Sequence, residues 1–378
     1  MYAEDTAAEP RARRGAAGSG FRTPSLDGLR AVSILLVVGA HSISPGRYPA
    51  AFSLFGHLGN TGVRVFFLIS GFLITSLLLK EHAAAGAISL PKFYMRRVIR
   101  IFPAFYVYVG IVALLAWTGR IQLLPGDMPH ALTYTMNYHH ERSWYVNHLW
   151  SLSVEEQFYL LWPAALLIAG PRRALKGAAA AIVIVPLIRW WIYWDFAREQ
   201  PMSQYYATAL DRYFQAVCDS LATGCVLAGC YSALGGVRRY VELQGRVWYP
   251  LLPLALILAS GALHKVSVPV YLILGQSGAN IGIALLLDYW VRRPDSLSGR
   301  VLNLAWMAKI GVWSYSIYLW QELLLDMTPG GISLAFPWNI AAVLAVSIAS
   351  YYCVEKQALK LRRYFSPSYE SLRTVRSV

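Results

Sequence analysis

The sequence predicts an all-α, polytopic membrane protein with about ten transmembrane helices and with both termini in the cytoplasm. The first observation behind this prediction is composition: of 378 residues, 56% are apolar and only 14% are charged, and the mean hydropathy is +0.42. A soluble globule of this size needs more polar surface, so most of the chain is expected to lie in lipid. The second observation is a regular alternation of apolar stretches and basic loops.

The apolar stretches have the length of about 20 residues that crosses a bilayer as a helix. The aromatic-rich one that contains Trp190 and Trp194 can equally lie in the membrane interface, so the number of spans can differ by one or two. The predicted spans are 26–44, 61–80, 101–117, 148–169, 178–194, 209–233, 247–263, 267–290, 304–325 and 338–355.

Basic residues cluster in alternate loops, as the positive-inside rule requires when the N-terminus is cytoplasmic. The formal net charge of +14 therefore reflects membrane topology, and no nucleic-acid partner is predicted. In chain order the basic groups are Arg11, Arg13, Arg14 and Arg22; Lys92, Arg96, Arg97 and Arg100; Arg172, Arg173 and Lys176; Arg238, Arg239 and Arg246; Arg292, Arg293 and Arg300; and Lys356, Lys360, Arg362 and Arg363.

One membrane domain is predicted over residues 21–366. Residues 1–20 lack the apolar core and cleavage site of a signal peptide and are predicted to be a disordered cytoplasmic arm, and residues 367–378 a cytoplasmic tail. No CxxC pattern or ligand spacing for a metal occurs, so no metal site is predicted. The cysteines all fall in apolar segments and are interpreted as small core residues: Cys218, Cys225, Cys230 and Cys353.

The first span carries an arginine and a histidine, Arg30 and His41. Eleven helical steps bring them to within about 20° of one face and separate them by about 16 Å along the axis. Because charged side chains in a span are costly, we expect both to face one cavity, with Arg30 near the inner mouth. The alternative is that Arg30 extends to the inner interface beside Asp27 while His41 only ends the helix.

The fourth span opens with HLWSLSVEEQFYLLWP, where His148, Glu155, Tyr159 and Trp162 follow helical spacing along one face. Glu156 points about 100° away, so Glu155 is predicted to be the chemical carboxylate and Glu156 to hold a neighbouring helix. Both carboxylates can alternatively be interhelix ties. Four further polar residues in or beside spans are interpreted as structural: Asp219, Gln321, Glu322 and Glu355.

Two further segments are candidate parts of a site. Arg97 and Arg100, with Arg96 beside them, are three residues apart on one helical face at the cytoplasmic side, where such a pair is suited to grip phosphate oxygens. Topology and anionic lipid explain basic residues there equally well. Ser70 and Gly71 form a small-residue break in the second span, which admits either a ligand or a tightly packed helix.

Seven segments, in this order, resemble the membrane-bound acyltransferase 3 family, and the resemblance runs over most of the chain. Together they are specific, although each alone is weak. They are the pair Arg30 and His41, GVRVFFLISGFLIT from Gly62, RRVIRIFP from Arg96, HLWSLSVEEQFYLLWP from His148, CDSLATGCVLAG from Cys218, SYSIYLWQELL from Ser314 and SYYCVEKQAL from Ser350.

The resemblance implies a multi-pass O-acyltransferase of the bacterial cytoplasmic (inner) membrane. It implies transfer of an acyl group, with acetyl favoured, from cytoplasmic acyl-CoA to a hydroxyl of an extracytoplasmic carbohydrate, glycolipid or related acceptor, without a metal. Carried over, His41 is the essential histidine with Arg30 as its companion. Arg97 and Arg100 contact the nucleotide end of coenzyme A. The resemblance also places Glu155 and the Ser70–Gly71 break in or near the active cavity.

The acyl-transfer chemistry that the resemblance implies needs a base for the attacking hydroxyl, and a neutral imidazole suits that role. Whether His41 is that base or is itself transiently acylated stays open. Many members have His where this chain has Gln321, and many end the last span in Glu-Lys-Pro where this chain reads Glu355-Lys356-Gln357. Some larger members carry a fused hydrolase-like domain that assists transfer, so the resemblance implies either a separate extracytoplasmic helper protein or an acceptor that does not need one. The competing prediction is a flippase or transporter for a glycan or lipid-linked substrate.

Overall fold

The described part of the chain is helical throughout. The computed structural model describes residues 25–42, 58–196, 210–326, 332 and 334–365. We number its helices in chain order: α1 Leu26–His41, α2 Gly59–Ala85, α3 Leu90–Trp117, α4 Asp127–Leu132, α5 Trp144–Asn147, α6 Leu149–Ala169, α7 Pro171–Phe196, α8 Phe214–Gly236, α9 Arg238–Gln244, α10 Leu251–Val266, α11 Val268–Arg292, α12 Leu297–Leu302, α13 Ala305–Leu324 and α14 Trp338–Leu359.

Six of these helices are long and apolar enough to cross a membrane: α2, α3, α7, α8, α11 and α14. Each of the other predicted spans coincides with a helix, but α1 and α10 have 16 residues each, and α6 and α13 are less apolar. All-helical architecture and polytopic membrane character are therefore confirmed. The number of about ten spans and the cytoplasmic position of both termini stay predictions.

Several predicted features fall outside the described residues. They include the disordered arm at 1–20 with its arginines, Arg22, and the tail at 367–378. The membrane domain predicted over 21–366 is described except at its ends and at residues 43–57, 197–209, 327–331 and 333.

Helix α1 is central because it packs between α2 and α13. Its inward face is completely buried at Ala31, Ile34 and Val37. Glycines let the backbones approach closely on both sides: a Cβ at Gly62 of α2 or at Gly311 of α13 would overlap a backbone carbonyl of α1. Since lipid provides little hydrophobic drive between helices, such small residues favour close packing and fix the position of the polar groups on α1.

A second close crossing joins α2 to α8. Gly71 and Gly224 face each other there, and a Cβ at Gly71 would overlap the carbonyl of Leu221. Gly71 is therefore a packing residue at this crossing, and its assignment to a ligand-binding role stays a prediction. The adjacent Ser70 points elsewhere, into the cavity described below.

Buried polar groups tie the helices together away from that cavity. Asp219 of α8 pairs with Arg189 of α7 at 2.9 Å and accepts a hydrogen bond from Asn280 of α11. Glu355 of α14 accepts a hydrogen bond from Ser316 of α13. These contacts agree with the interpretation of Asp219 and Glu355 as structural residues, because each satisfies a polar group that lipid cannot.

Candidate active site

A cavity that is partly open to solvent, with about 760 Å³ of empty space including its open side, lies between the central helices. Three arginines and two glutamates line it, together with aromatic and small polar side chains. Charged groups inside a membrane domain generally mark a ligand path, because lipid-facing charges are costly. The lining residues come from α1, α2, α3, α6 and α13: Arg30, Val63, Phe66, Phe67, Ser70, Arg97, Arg100, Ile101, Ser151, Leu152, Glu155, Glu156, Tyr159, Ser314, Tyr315 and Tyr318.

The arginines of the cavity come from two helices. Arg30 lies in the second turn of α1, where it also pairs with Asp27 at 3.8 Å, and Arg97 and Arg100 lie on one face of α3. Both sequence interpretations of Arg30 are thus partly met, since it contacts Asp27 and still lines the cavity. Arg96 lies outside the cavity lining and pairs with Glu81 at 3.3 Å, so the structure does not place it with Arg97 and Arg100, and its contact with the donor stays a prediction.

Glu155 lies inside a small hydrogen-bonded group. Its carboxylate accepts hydrogen bonds from Ser70 at 2.8 Å and from Tyr159 at 3.2 Å, and the Tyr159 hydroxyl also donates to Ser70 at 3.0 Å. The guanidinium of Arg97 stacks on the Tyr159 ring at 5.0 Å. The predicted placement of Glu155 and Ser70 in one cavity is thereby met.

Glu156 also lines the cavity, which corrects its expected role as a tie to a neighbouring helix. The helical angle of about 100° between adjacent residues is correct, but the cavity is wide enough to receive both carboxylates. Within the described residues no hydrogen bond reaches Glu156, whereas Glu155 has two. Both glutamates therefore line the cavity, and they differ in their hydrogen-bond partners.

Tyr318 and Ser151 line the cavity and contact each other, and we call this pair the partition. Their hydroxyls lie 2.5 Å apart, and the Tyr318 hydroxyl also donates to the backbone carbonyl of His148 at 2.9 Å. Both residues are buried. Through the His148 carbonyl, the partition connects the arginine-lined cavity to a polar cluster whose residues are not part of the cavity lining.

The polar cluster beyond the partition contains His41, the last residue of α1. Its Nδ1 lies 2.7 Å from Oε1 of Gln321, and its Nε2 lies 3.5 Å from Oε1 of Glu322. The edge of the ring also packs against Trp144, with ring centroids 5.7 Å apart. Its side chain is 27% exposed, whereas that of Glu322 is completely buried. A histidine that is held on two sides and still accessible is suited to react.

His41 is not one of the described residues that line the cavity, so it and Arg30 do not share one open cavity as expected. Arg30 lines the cavity from the second turn of α1, whereas His41 is the last residue of the same helix. His148 also departs from its predicted position beside Glu155. It precedes α6, and its Nδ1 and backbone nitrogen contact Oε2 of Glu322 at 2.8 and 3.0 Å.

The residues that sequence interpretation missed at this site are Gln321 and Glu322. Taken individually, each is interpreted from the sequence as structural. Their adjacency at the last turn of α13 is the signal that could have identified them, since two buried polar neighbours at one helix end need a partner from another helix. Trp162 was grouped with Glu155, but its indole donates to Thr75 at 2.8 Å and lies outside the cavity lining.

The loop between α3 and α6 supports this cluster. Asp127 accepts hydrogen bonds from the backbone nitrogens of Leu124 and Ser143, and it lies 3.3 Å from Nε2 of His139. Burial lowers the pKa of His139, and the neighbouring His130, which stacks on it, lowers it further. These contacts fix the loop that carries Trp144 and His148.

Across the described residues, no group of three or more His, Cys, Asp and Glu side chains is placed to hold a metal ion. The cysteines are free thiols, and of the four only Cys225 is fully buried, so the prediction of core positions is wrong for Cys230 and Cys353, which are exposed.

Comparison with known proteins gives the family. A family model described as an acyltransferase domain, Acyl_transf_3, matches residues 23–354. The peptidoglycan O-acetyltransferase OatA of Listeria monocytogenes is 27% identical over 351 residues, which cover 86% of this chain and 53% of that protein. The putative peptidoglycan O-acetyltransferase YrhL of Bacillus subtilis is 26% identical over 361 residues, covering 88% of this chain and 54% of that protein.

A putative O-acetyltransferase of Staphylococcus aureus (strain COL) is 38% identical over 161 residues, which cover 38% of this chain and 24% of that protein. No solved structure matches the chain. The chain thus spans about half the length, or less, of these curated relatives. The family model covers well over half of the chain, so the chain belongs to the membrane-bound acyltransferase 3 family.

Proposed function

We propose that this protein transfers an acetyl group from cytoplasmic acetyl-CoA to a hydroxyl of an extracytoplasmic glycan. The observation that carries the proposal is the arrangement of two polar regions along the central helices. One is a cavity lined by three arginines and by Tyr318, and the other is the accessible His41 beside Glu322, which contacts His148, the residue whose carbonyl accepts a hydrogen bond from Tyr318. The first region suits an anionic donor, and the second suits the reaction.

The arginine-lined end matches the charge of coenzyme A. Arg30 and Arg100 are close enough to repel each other, and the carboxylates of Asp27 and Glu155 act on Arg30 in the opposite sense. A cluster of like charges in a poorly solvated cavity gains most from a polyanion. Arginines also bind phosphate oxygens through paired hydrogen bonds, and coenzyme A supplies a diphosphate and a 3′-phosphate.

The rest of the cavity suits the pantetheine arm, which is long, thin and only partly polar. From the arginines the lining continues past Phe67 and Leu152 to the partition. Beyond it lie His148 and then, through Glu322, His41. A donor anchored at the arginines would thus present its thioester to the partition, and a rotation of the Tyr318 side chain would open the way to His41.

The reaction at His41 is a transesterification in which atoms and charges balance. The acceptor hydroxyl gives its proton to the imidazole while its oxygen attacks the thioester carbonyl carbon. The new C–O bond forms, the C–S bond breaks, and the coenzyme A thiolate takes the proton back from the imidazolium. Glu322, buried beside the ring, stabilises the imidazolium while it exists. A two-step route through an acetylated His41 uses the same groups.

The acceptor reaches His41 from the side opposite the arginines. The relatives OatA and YrhL are named as enzymes that act on peptidoglycan, so a peptidoglycan amino sugar is the first acceptor to test, ahead of other glycans and glycolipids. A flippase is the competing function, and neither the comparisons nor the described cavity supports it.

The test uses the full-length protein in bacterial membranes supplied with acetyl-CoA labelled in the acetyl group. We expect base-labile label on isolated glycan with the wild type and none with His41→Ala. The matched control is His264→Ala, which removes an exposed histidine at the end of α10 and should keep wild-type transfer.

Two results would contradict the proposal. Full transfer by a correctly inserted His41→Ala variant would remove His41 from the reaction. Movement of an unmodified glycan across the membrane, with no ester formed by the wild type, would favour the flippase.

A further inference from the structure

We infer that Gln321 is a positioning residue that holds His41 in the tautomer able to accept a proton. This inference rests on the proposed function and adds a role for Gln321, which follows from its contact with His41. Oε1 of Gln321 lies 2.7 Å from Nδ1 of His41, and the glutamine side chain is completely buried. The contact joins the last residue of α1 to the last turn of α13.

The geometry selects one ring nitrogen as the base. A carbonyl oxygen only accepts hydrogen bonds, so Nδ1 carries the proton in a neutral ring that faces Oε1 of Gln321. The lone pair is then on Nε2, which lies 3.5 Å from the Glu322 carboxylate. At that distance the carboxylate makes no hydrogen bond with the ring but still attracts the positive charge that forms once Nε2 is protonated.

The opposite orientation of the amide would block the reaction. If the Gln321 amide nitrogen donated to Nδ1, the ring proton would be on Nε2 and would point at Glu322, leaving no lone pair for the acceptor hydroxyl. The orientation of one amide therefore decides whether His41 can act as a base.

The Gln321 side chain makes its one hydrogen bond within the described residues to His41. Its amide nitrogen is buried and has no partner there. A buried unpaired amide group lowers stability by about 1–3 kcal/mol. Removing the amide should therefore not weaken the fold, which separates a positioning role from a structural one.

Other charged groups near His41 come from several elements, and the charge of Glu322 is shared among them. His148 contacts Glu322 directly. The Glu322 carboxylate also attracts two positively charged side chains, those of Arg142, in the loop before α5, and Arg212, just before α8. These groups hold the carboxylate in place. The partner of Nδ1 is Gln321 alone among the contacts described for that atom.

The test compares two substitutions in the full-length protein. Gln321→Met keeps the length and apolar volume of the side chain but removes the acceptor, whereas Gln321→His restores a nitrogen acceptor near Nδ1. Loss of one hydrogen bond to the base should lower kcat of acetyl transfer about tenfold in Gln321→Met, with the KM values for acetyl-CoA and acceptor unchanged. Gln321→His should recover most of kcat.

The outcomes separate this inference from the proposed function. If the wild type transfers acetyl and Gln321→Met keeps the wild-type kcat, or if Gln321→His recovers nothing, Gln321 does not position His41. If the wild type itself transfers no acetyl from acetyl-CoA, the proposed function fails first.

A second measurement tests the inference without activity. In ¹⁵N solid-state NMR of histidine-labelled protein at alkaline pH, the difference between the wild type and His41→Ala isolates the His41 ring. A proton on Nδ1 is expected. A proton on Nε2 would overturn the inference even if both variants behave as described.

Discussion

The buried ion pair between Arg189 and Asp219 allows a quantitative prediction for Asp219→Asn. The pair is 2.9 Å long, and both side chains are almost inaccessible, at 0% and 1% exposure. Removing the negative charge leaves Arg189 buried without a counter-ion, which typically costs about 3–5 kcal/mol. Asparagine also cannot replace the contacts of the two carboxylate oxygens. In one orientation its NH₂ group would face the side-chain nitrogens of Asn280 and Arg189, and in the other it would face the backbone nitrogen of Ser220. All of these groups are hydrogen-bond donors, so a second donor cannot bond to them.

The matched control is Glu242→Gln in α9. Its pair with Arg238 is equally short, at 2.7 Å, but the two side chains are 59% and 91% exposed. Water and salt screen such a pair, so the control should lose almost nothing. The difference in free energy of unfolding between the two variants therefore reports the effect of burial and not that of the distance between the charges.

The assay is unfolding by SDS in mixed micelles, followed by tryptophan fluorescence, which gives the free energy of unfolding for each variant. The double variant Arg189→Met with Asp219→Leu should recover most of the loss, because it leaves no charge unpaired. The reasoning is refuted if Asp219→Asn loses no more free energy than Glu242→Gln.

Two further predictions concern the donor site and the α2–α8 crossing. In steady-state kinetics, the double variant Arg97→Ala with Arg100→Ala should raise the KM for acetyl-CoA about tenfold or more, because charge-assisted contacts to phosphate are lost, and should leave the KM for the acceptor unchanged. The control Arg96→Ala, outside the cavity, should change neither KM. An equal rise in the KM for acetyl-CoA in both variants would contradict the assignment. Gly71→Leu should prevent α2 and α8 from packing and should sharply reduce the yield of monodisperse protein in size-exclusion chromatography. The control Gly110→Leu should keep the wild-type yield, because a Cβ at Gly110 meets nothing within 4 Å. Equal yields of the two variants would show that the crossing tolerates a side chain.

The positions of the helices could be predicted from the sequence because the apolar stretches are local features. Each predicted span contains a helix, and Arg30, Glu155, Ser70, Arg97 and Arg100 do line one cavity. These residues share faces that helical periodicity alone identifies, since no neighbouring helix alters the direction in which they point.

The errors arise where a second helix decides the outcome. Gly71 follows Ser70 in the chain, but α8 occupies the space beside it. His148 has the spacing of the Glu155 face, yet its ring turns to Glu322, which is 174 residues away in the chain. The contact between Gln321 and His41 spans 280 residues. Periodicity within one helix carries no information about such partners.

The most direct test of the account is a cryo-EM structure of the full-length protein with coenzyme A bound. The account predicts phosphate oxygens within hydrogen-bonding distance of Arg97 and Arg100, and a sulfur atom at the Tyr318 end of the cavity, on the path to His41. Coenzyme A bound elsewhere, or lying in this cavity with its sulfur at the arginines, would contradict it.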